Sequence, residues 1–206
     1  MLVDHRMLGV LIEGGQSNLT ASGLLLTRTQ VSGDGTKGRG AQIQAGGNVV
    51  LERSSLMENH ELGASIYGAT TTVTFRDSLV ARTQPRADGL RGRGLAVEDG
   101  GSLTLERVAL VDNRDHALSI HGADSSVEGT DVWIGSTDSG GETGGGAGVG
   151  VQGGGALALE RAALVKRKAR VRLQGLKSPK ERRYNGQLGT LKGSPKGSGK
   201  LVVQVD

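Results

Sequence analysis

Three carboxylates recur at one phase of the chain and are the first residues that could perform chemistry. Asp34, Asp88 and Glu142 follow one another at a constant interval, each inside a Gly-rich segment. Asp138 precedes the third carboxylate, and four basic residues follow the first two, namely Lys37, Arg39, Arg91 and Arg93. Such mixed charges can bind an extended ligand such as a polysaccharide, because solenoid proteins present repeated surfaces to elongated partners. These eight residues form the candidate ligand-binding face, with solvated turn formers as the alternative.

The four histidines offer a second kind of chemistry, because imidazole is both a metal ligand and a general base. His5 and His60 align with Asn or Arg in the other repeats, which favours turn or surface positions. His116 and His121 are predicted on opposite faces of one strand. The chain has no Cys to complete a metal site. We therefore interpret the histidines as polar surface residues and assign no catalytic residue.

Internal repeats define the elements that must position these groups. The segment GRGAQIQAGGNVVLERSSLMEN begins at Gly38 and recurs as GRGLAVEDGGSLTLERVALVDN from Gly92 and GAGVGVQGGGALALERAALVKR from Gly146. A second unit begins at Leu8, Leu62 and His116, with the same spacing between copies. No insertion interrupts the spacing, which is typical of a solenoid.

Within each copy the apolar residues alternate, as strands require. Gly, Asn or Asp closes each run after a few residues. Three short strands in each turn of about 22 residues, with an extended loop after every second turn, fit an all-β parallel β-helix with two rungs per 54-residue unit. An antiparallel sandwich is the alternative, but its successive hairpins need not keep one length.

Two rungs would separate neighbouring acidic loops by about 9.6 Å. That distance is too wide for one Ca²⁺, whose ligands lie about 2.4 Å away, unless the loops lean together. We therefore predict no cofactor, with Ca²⁺ as the exception if the loops meet.

The repeat GRGLAVEDGGSLTLERVALVDNRD resembles the right-handed parallel β-helix proteins of the pectate-lyase-like superfamily, in particular Gly-rich and Arg-rich bacterial copies of unassigned activity. The resemblance covers about residues 1–165 and implies a right-handed solenoid. It does not define one reaction, because this fold also carries adhesins and inert stalks.

The motifs that the resemblance implies for catalysis are incomplete. Lyases of the superfamily resemble one another in a WIDH element, whereas VWIGS here keeps Trp133 and Ile134 but has Gly135 and Ser136 in the last two places. Hydrolases use two or three converging carboxylates and a Gly-His-Gly element, of which SIHGAD keeps only His121 and its following glycine. Because these motifs are incomplete, we predict a non-catalytic scaffold and keep a polysaccharide-active lyase or hydrolase as the alternative.

Charge divides the chain near residue 165. Residues 1–165 carry a net charge of −6, and residues 166–206 carry +10. The basic segment contains YNGQLGT and ends in VVQVD, which resembles part of a small SH3-like barrel through Tyr184, Asn185, Gly186, Gly189 and Thr190. Lys and Arg neutralise phosphates, so nucleic acid is a further possible partner, although a solvated tail or an adhesive basic patch is favoured.

Repeated Glu-Arg pairs have a structural interpretation. Glu52-Arg53, Glu106-Arg107 and Glu160-Arg161 are expected to place alternating charges along the outside of one sheet. Exposed pairs of this kind contribute about 0–1 kcal/mol each.

Composition bounds the remaining possibilities. Gly accounts for 36 of 206 residues and aromatic residues for 2% of the chain, which argues against a compact α/β enzyme with an aromatic core. No apolar run is long enough to span a membrane. The chain opens in the middle of a predicted rung, so we expect further rungs and a signal peptide upstream in a longer exported protein. The predicted function is an extracellular or cell-surface scaffold that binds polysaccharide or other surface material.

Overall fold

The computed structural model describes residues 1–135, 137 and 147–165, together with three strands farther along the chain. Two compact units divide the chain, Met1–Leu164 and Val165–Asp206. Asp138 and Glu142 lie outside the described residues, so their predicted places on the ligand-binding face stay predictions.

Three parallel sheets build the first unit, and we name them by their strands. The long-strand sheet contains β2 (Leu8–Glu13), β5 (Arg39–Gln44), β8 (Leu62–Tyr67), β11 (Arg93–Glu98), β14 (His116–His121) and β17 (Ala147–Gln152). The middle sheet contains β3 (Asn18–Ser22), β6 (Asn48–Glu52), β9 (Thr72–Arg76), β12 (Ser102–Glu106), β15 (Ser126–Thr130) and β18 (Ala156–Glu160). The short-strand sheet contains β1 (Leu2–Val3), β4 (Leu25–Thr27), β7 (Ser55–Met57), β10 (Leu79–Ala81), β13 (Ala109–Val111), β16 (Trp133–Gly135) and β19 (Ala163–Val165).

Strand register shows how the chain coils. Ala41 in β5 pairs with Ala64 in β8, and Ala64 pairs in turn with Leu95 in β11. Between two such partners the chain passes once through the middle sheet and once through the short-strand sheet. The chain therefore visits the three sheets in turn and returns to each one a rung higher. Because every pairing in this unit is parallel, the structure is an all-β parallel solenoid and the antiparallel sandwich is excluded.

Ladders of like side chains fill the interior. Leu51, Phe75 and Leu105 stack on the inner face of the middle sheet, and each is no more than 1% exposed. Burying each of these side chains stabilises the fold by about 1.5–3 kcal/mol. Leu, Val, Ile and Ala make up most of this interior, and Phe75 is the one aromatic side chain among the buried core residues that the structure describes.

Two columns of turn residues carry charges of alternating sign. The column after the middle strands consists of Arg53, Asp77, Arg107, Asp131 and Arg161, and the column after the short strands consists of Asp4, Arg28, Glu58, Arg82 and Asp112. All ten residues have a left-handed backbone, with φ between 47° and 57°. Arg161 contacts Asp131 at 2.8 Å and Arg82 contacts Glu58 at 3.0 Å, so the pairs join successive rungs.

The predicted Glu-Arg pairs are thus only half of the arrangement. Arg76, from the intervening rung, lies between Glu52 and Glu106 at 3.5 and 2.9 Å. Arg161 contacts both Glu160 of its own pair, at 2.9 Å, and Asp131 of the interleaved rung.

Buried asparagines shape the corner at which the chain enters the long-strand sheet. The side-chain oxygen of Asn59 accepts from the Thr29 amide at 3.0 Å, and its nitrogen donates to the Leu26 carbonyl at 3.2 Å. Asn113 repeats both bonds one repeat later. These side chains are fully buried and connect adjacent rungs, so they fix the strands that carry the candidate site.

The second unit contains a small antiparallel sheet. Its strands are β20 (Arg170–Arg172), β21 (Leu188–Gly193) and β22 (Val202–Val205), with β21 in the middle. The SH3-like resemblance and the nucleic-acid alternative stay predictions. Among the described residues, no helix could cross a membrane.

Candidate ligand-binding site

Within residues 1–135, two long connections into the long-strand sheet lie against each other. Residues 28–38 lead into β5 and residues 82–92 lead into β11, whereas the connection between them, residues 58–61, is short. The Ala87 amide donates to the Gly35 carbonyl at 3.2 Å. The loops therefore lean together over the short connection and form one ridge, in place of the predicted separation of two rungs.

Asp34 and Asp88 close the turns of this ridge. Asp34 accepts from the Thr36 amide at 3.0 Å and from the Thr36 and Ser32 hydroxyls, and the Ser32 bond is the largest of the causes that lower its pKa to about 2. Asp88 accepts hydrogen bonds from the Arg86 side chain and from the Leu90 amide, the latter at 2.9 Å, and these two bonds lower the pKa of Asp88. Their carboxylates are thus engaged within their own loops, as the turn-former alternative supposes. Among the described residues no cluster of His, Asp and Glu is arranged to hold a metal ion.

A buried carboxylate that the sequence did not indicate organises the base of the ridge. Glu61 has a side chain only 2% exposed, and its Oε2 lies 2.8 Å from Nε of Arg39. Arg91 reaches Oε1 at 3.2 Å, and Arg86 approaches the same oxygen at 4.0 Å. We call these four residues the Glu61 corner. Two of the predicted ligand-binding arginines, Arg39 and Arg91, are therefore held on one internal carboxylate.

The next repeat builds a different arrangement at the equivalent place. Asp115 contacts Nε of Arg93 through Oδ2 and Nδ1 of His116 through Oδ1, both at 2.8 Å. The His116 bond and then Arg93 lower the pKa of Asp115 to about 2. Arg93 also donates to the Ser119 hydroxyl at 3.4 Å. We call Arg93, Asp115, His116 and Ser119 the Asp115 corner.

A depression of about 250 Å³ opens beside the Asp115 corner on the outer face of the long-strand sheet. Its lining is polar and consists of Arg93, Glu98, His116, Ser119, His121, Gly150 and Gln152. Gly150 is required there, because a Cβ atom on this residue would lie 2.8 Å from Cδ2 and 2.9 Å from Nε2 of the His116 ring. The residues equivalent to His116 and Gly150 in the preceding repeat are Leu62 and Ala96, both buried.

The prediction that His116 and His121 lie on opposite faces is wrong, because both line this depression. Strict alternation fails at Ala117 and Leu118, which are adjacent and both fully buried. At this bend the backbones of β11 and β14 approach closely. Gly94 lies beside Ala117 in the strand register, and a Cβ atom on Gly94 would lie 2.5 Å from the Ala117 carbonyl oxygen. The alternation of inward and outward side chains therefore shifts by one residue between His116 and Leu118.

A row of polar side chains crosses the rungs of the same face. Strand register places six residues in this row, namely Glu13, Gln44, Tyr67, Glu98, His121 and Gln152. Tyr67 is 45% exposed. Arg39 donates to Gln42 at 3.0 Å, Gln42 donates to Gln44, and Gln44 donates to Glu13 at 2.7 Å. Hydrogen bonds therefore run from the Glu61 corner across the sheet.

The structure brings together only part of the predicted face. Asp34, Lys37 and Asp88 lie in the ridge, and Arg39 and Arg93 start the adjoining strands. Glu61 and Asp115 were missed, although each follows an arginine of the predicted face by 22 residues. That repeated spacing is the signal by which they could have been found.

These features define residues 1–164 as an all-β parallel solenoid in which stacked loops border the polar outer face of the long-strand sheet. Comparison with protein-family models, curated proteins and solved structures returns no significant match.

Proposed function

We propose that this chain is a non-catalytic scaffold, a right-handed parallel β-helix of the pectate-lyase-like type, that binds an extended polysaccharide outside the cell or at its surface. The ligand lies along the loop ridge and the adjoining row of polar side chains on the long-strand sheet. The observation that carries the proposal is the stacking of the two long loops, since it turns separate loops into one border along this face.

Several properties of the face support binding of sugar hydroxyls. Each hydroxyl group donates and accepts, and the face offers guanidinium, carboxylate, amide and imidazole groups within a few rungs. Tyr67 adds an exposed aromatic ring in the same row. Ion pairs and hydrogen bonds already hold many of these side chains, which lowers the conformational entropy that binding would cost.

A polysaccharide-active lyase or hydrolase is the second candidate, and one observation favours it. Oδ1 of Asp115 lies 2.8 Å from Nδ1 of His116, but this nitrogen makes no hydrogen bond of suitable geometry among the described residues. Substrate binding would therefore have to align the pair before His116 could act as an oriented general base. Release of unsaturated or reducing ends from a panel of polysaccharides would support this candidate over the scaffold.

The experiment that tests the scaffold is a glycan array probed with the full chain and with two variants. His116→Leu combined with Gly150→Ala gives the Asp115 corner the residues found at the equivalent positions of the preceding repeat, so the variant should fold. We expect at least about tenfold weaker binding, because the depression loses an imidazole and part of its volume. Thr104→Lys, on the middle sheet, is the control and should bind as the parent does. An array without any bound glycan would contradict the proposal.

A further inference from the structure

The outer face of the short-strand sheet differs from the outer faces of the other two sheets. In β4, β7, β10, β13 and β16 the central residue is at most 1% exposed, so its two neighbours in the strand point outward. Leu25, Met57, Leu79, Val111 and Trp133 are among the larger outward side chains, and Trp133 is 39% exposed. No outward residue of these strands is charged among those that the structure describes. The result is a mainly apolar stripe across seven strands, which Thr27 and Ser55 interrupt.

Charged columns border this stripe on both sides. One column precedes the short strands and the other follows them, and in the rungs of β7, β10 and β13 a charged residue flanks the short strand on each side. In three successive rungs the two residues have opposite signs, namely Arg53 with Glu58, Asp77 with Arg82, and Arg107 with Asp112. The order of signs reverses from each rung to the next.

This pattern is complementary to itself. Consider a twofold axis that runs parallel to the solenoid axis in the plane of the stripe. It would place the column that precedes the short strands of one copy opposite the column that follows the short strands of a second copy, at the same height. Arg53 would then face the second copy's Glu58, Asp77 its Arg82, and Arg107 its Asp112. Every flanking charge in the three rungs meets an opposite charge, without any shift in register.

We propose that two copies of this chain pack side by side through the apolar stripe, about a twofold axis parallel to the solenoid. Apolar side chains fill the centre of the interface and the charged columns form its rim, which is the usual anatomy of a protein interface. Such an isologous contact closes on itself and produces a dimer.

The available area is sufficient for a reversible dimer. Seven strands at about 4.8 Å and a width of about six extended residues give roughly 600 Å² per copy. The total of about 1,200 Å² lies at the lower end of specific interfaces. The stripe lies on a different sheet from the polysaccharide face, so the two proposals can fail separately.

Sedimentation equilibrium of the full chain tests the dimer. At about 100 µM, above the micromolar Kd expected for a small interface, we expect a mass of twice 21.2 kDa. Leu79→Lys places a charge in the stripe and should give 21.2 kDa, whereas Thr104→Lys on the middle sheet should leave the dimer intact. Circular dichroism checks that both variants are folded. A parent protein that stays at 21.2 kDa, or a dimer that survives Leu79→Lys, would overturn the proposal.

Charge reversal tests the orientation and stands independently of Leu79→Lys. Asp77→Arg opposes the second copy's Arg82 with a like charge and should weaken dimerisation at least about tenfold. Adding Arg82→Asp restores opposite charges across the interface and should recover most of the affinity. The double variant has also lost the pairs of Asp77 with Arg107 and of Arg82 with Glu58 within each chain, so its fold is not more stable than that of the single variant. A recovery of dimer affinity would therefore come from the contact between the two copies. A double variant that dimerises no better than Asp77→Arg would exclude this arrangement.

Discussion

The Glu61 corner and the Asp115 corner occupy equivalent places in successive repeats, yet one is closed and the other is open. In the Glu61 corner a longer carboxylate takes two nitrogens of Arg39 and is covered by Arg86 and Arg91. In the Asp115 corner a shorter carboxylate takes one nitrogen of Arg93 and turns its other oxygen to His116. The loop that follows has Gly140 and Gly145 at the positions of Arg86 and Arg91.

The comparison shows how a repeat protein can separate stability from recognition. Both corners keep the arginine-to-carboxylate pair that ties one rung to the next. The Asp115 corner alone has His116 and Gly150 where the preceding repeat has the buried residues Leu62 and Ala96. This difference opens a polar depression at the surface. The first corner should therefore affect folding most strongly, and the second should affect binding.

Glu61→Gln should have the largest effect on stability. It leaves the guanidinium groups of the Glu61 corner around a neutral amide, and breaking a buried ion pair typically costs about 3–5 kcal/mol. We expect about 3 kcal/mol in chemical denaturation, because the arginines are partly exposed and can turn to solvent. Glu58→Gln, three positions earlier, removes a half-exposed partner of Arg82; it is the control and should cost less than about 1 kcal/mol. Equal losses for the two variants would show that Glu61 is not the organising group.

Gly150→Ala should destabilise the Asp115 corner by about 1–3 kcal/mol, because the new methyl group overlaps the His116 ring. Combining it with His116→Leu should restore most of the stability, as the preceding repeat has Leu and Ala at these two positions. Thermal unfolding of the two variants measures the difference. If the second change brings no recovery, the His116 ring does not lie over Gly150.

Acid should reveal the Asp115 corner. Because folding lowers the pKa of Asp115 from 3.8 to about 2, its stabilising contribution is present above about pH 4 and is lost as the pH falls toward 2. The contribution is about 1–2 kcal/mol, after a discount for partial exposure. Parent and Asp115→Asn should therefore differ in urea denaturation at pH 6 and converge near pH 2. Curves that stay equally separated at both pH values would contradict this account.

Arg91→Gly should have the smallest effect. It removes the contact with Glu61 at 3.2 Å but also relieves a left-handed backbone, with φ of 66°, that glycine adopts without strain. These effects oppose each other, so the melting temperature should change by less than the equivalent of about 0.5 kcal/mol. Hydrogen exchange should nevertheless report greater access to the amide groups around Glu61. A large loss of stability would mean that Arg91 is an essential part of the closed corner.

Much of the fold follows from the sequence because solenoid ladders are periodic. The alternation around Leu103 and Leu105 predicts the inward positions, and the constant spacing of the repeats predicts which copies are equivalent. Contact between Ala87 and Gly35 could not be predicted in the same way, because it depends on the short connection that lets two loops meet.

The site was harder to predict for a different physical reason. The depression contains both His116 and His121 only because the strand bends at Ala117, which shifts the alternation by one residue. Glu61 lies in a polar segment whose composition is typical of an exposed turn, yet three arginines make its burial possible.

The pairing of each strand with the next rung has a consequence for how the chain folds. Partners in the long-strand sheet are always one turn of the chain apart, as Ala41 is from Ala64 and Ala64 from Leu95, and this separation does not grow with the number of rungs. Each added rung therefore closes a loop of similar length at a similar cost in entropy, which favours a nucleus of a few rungs followed by stepwise growth. In such a chain the folding rate depends mainly on the rungs that nucleate first, and the terminal rungs open more often than those in the centre.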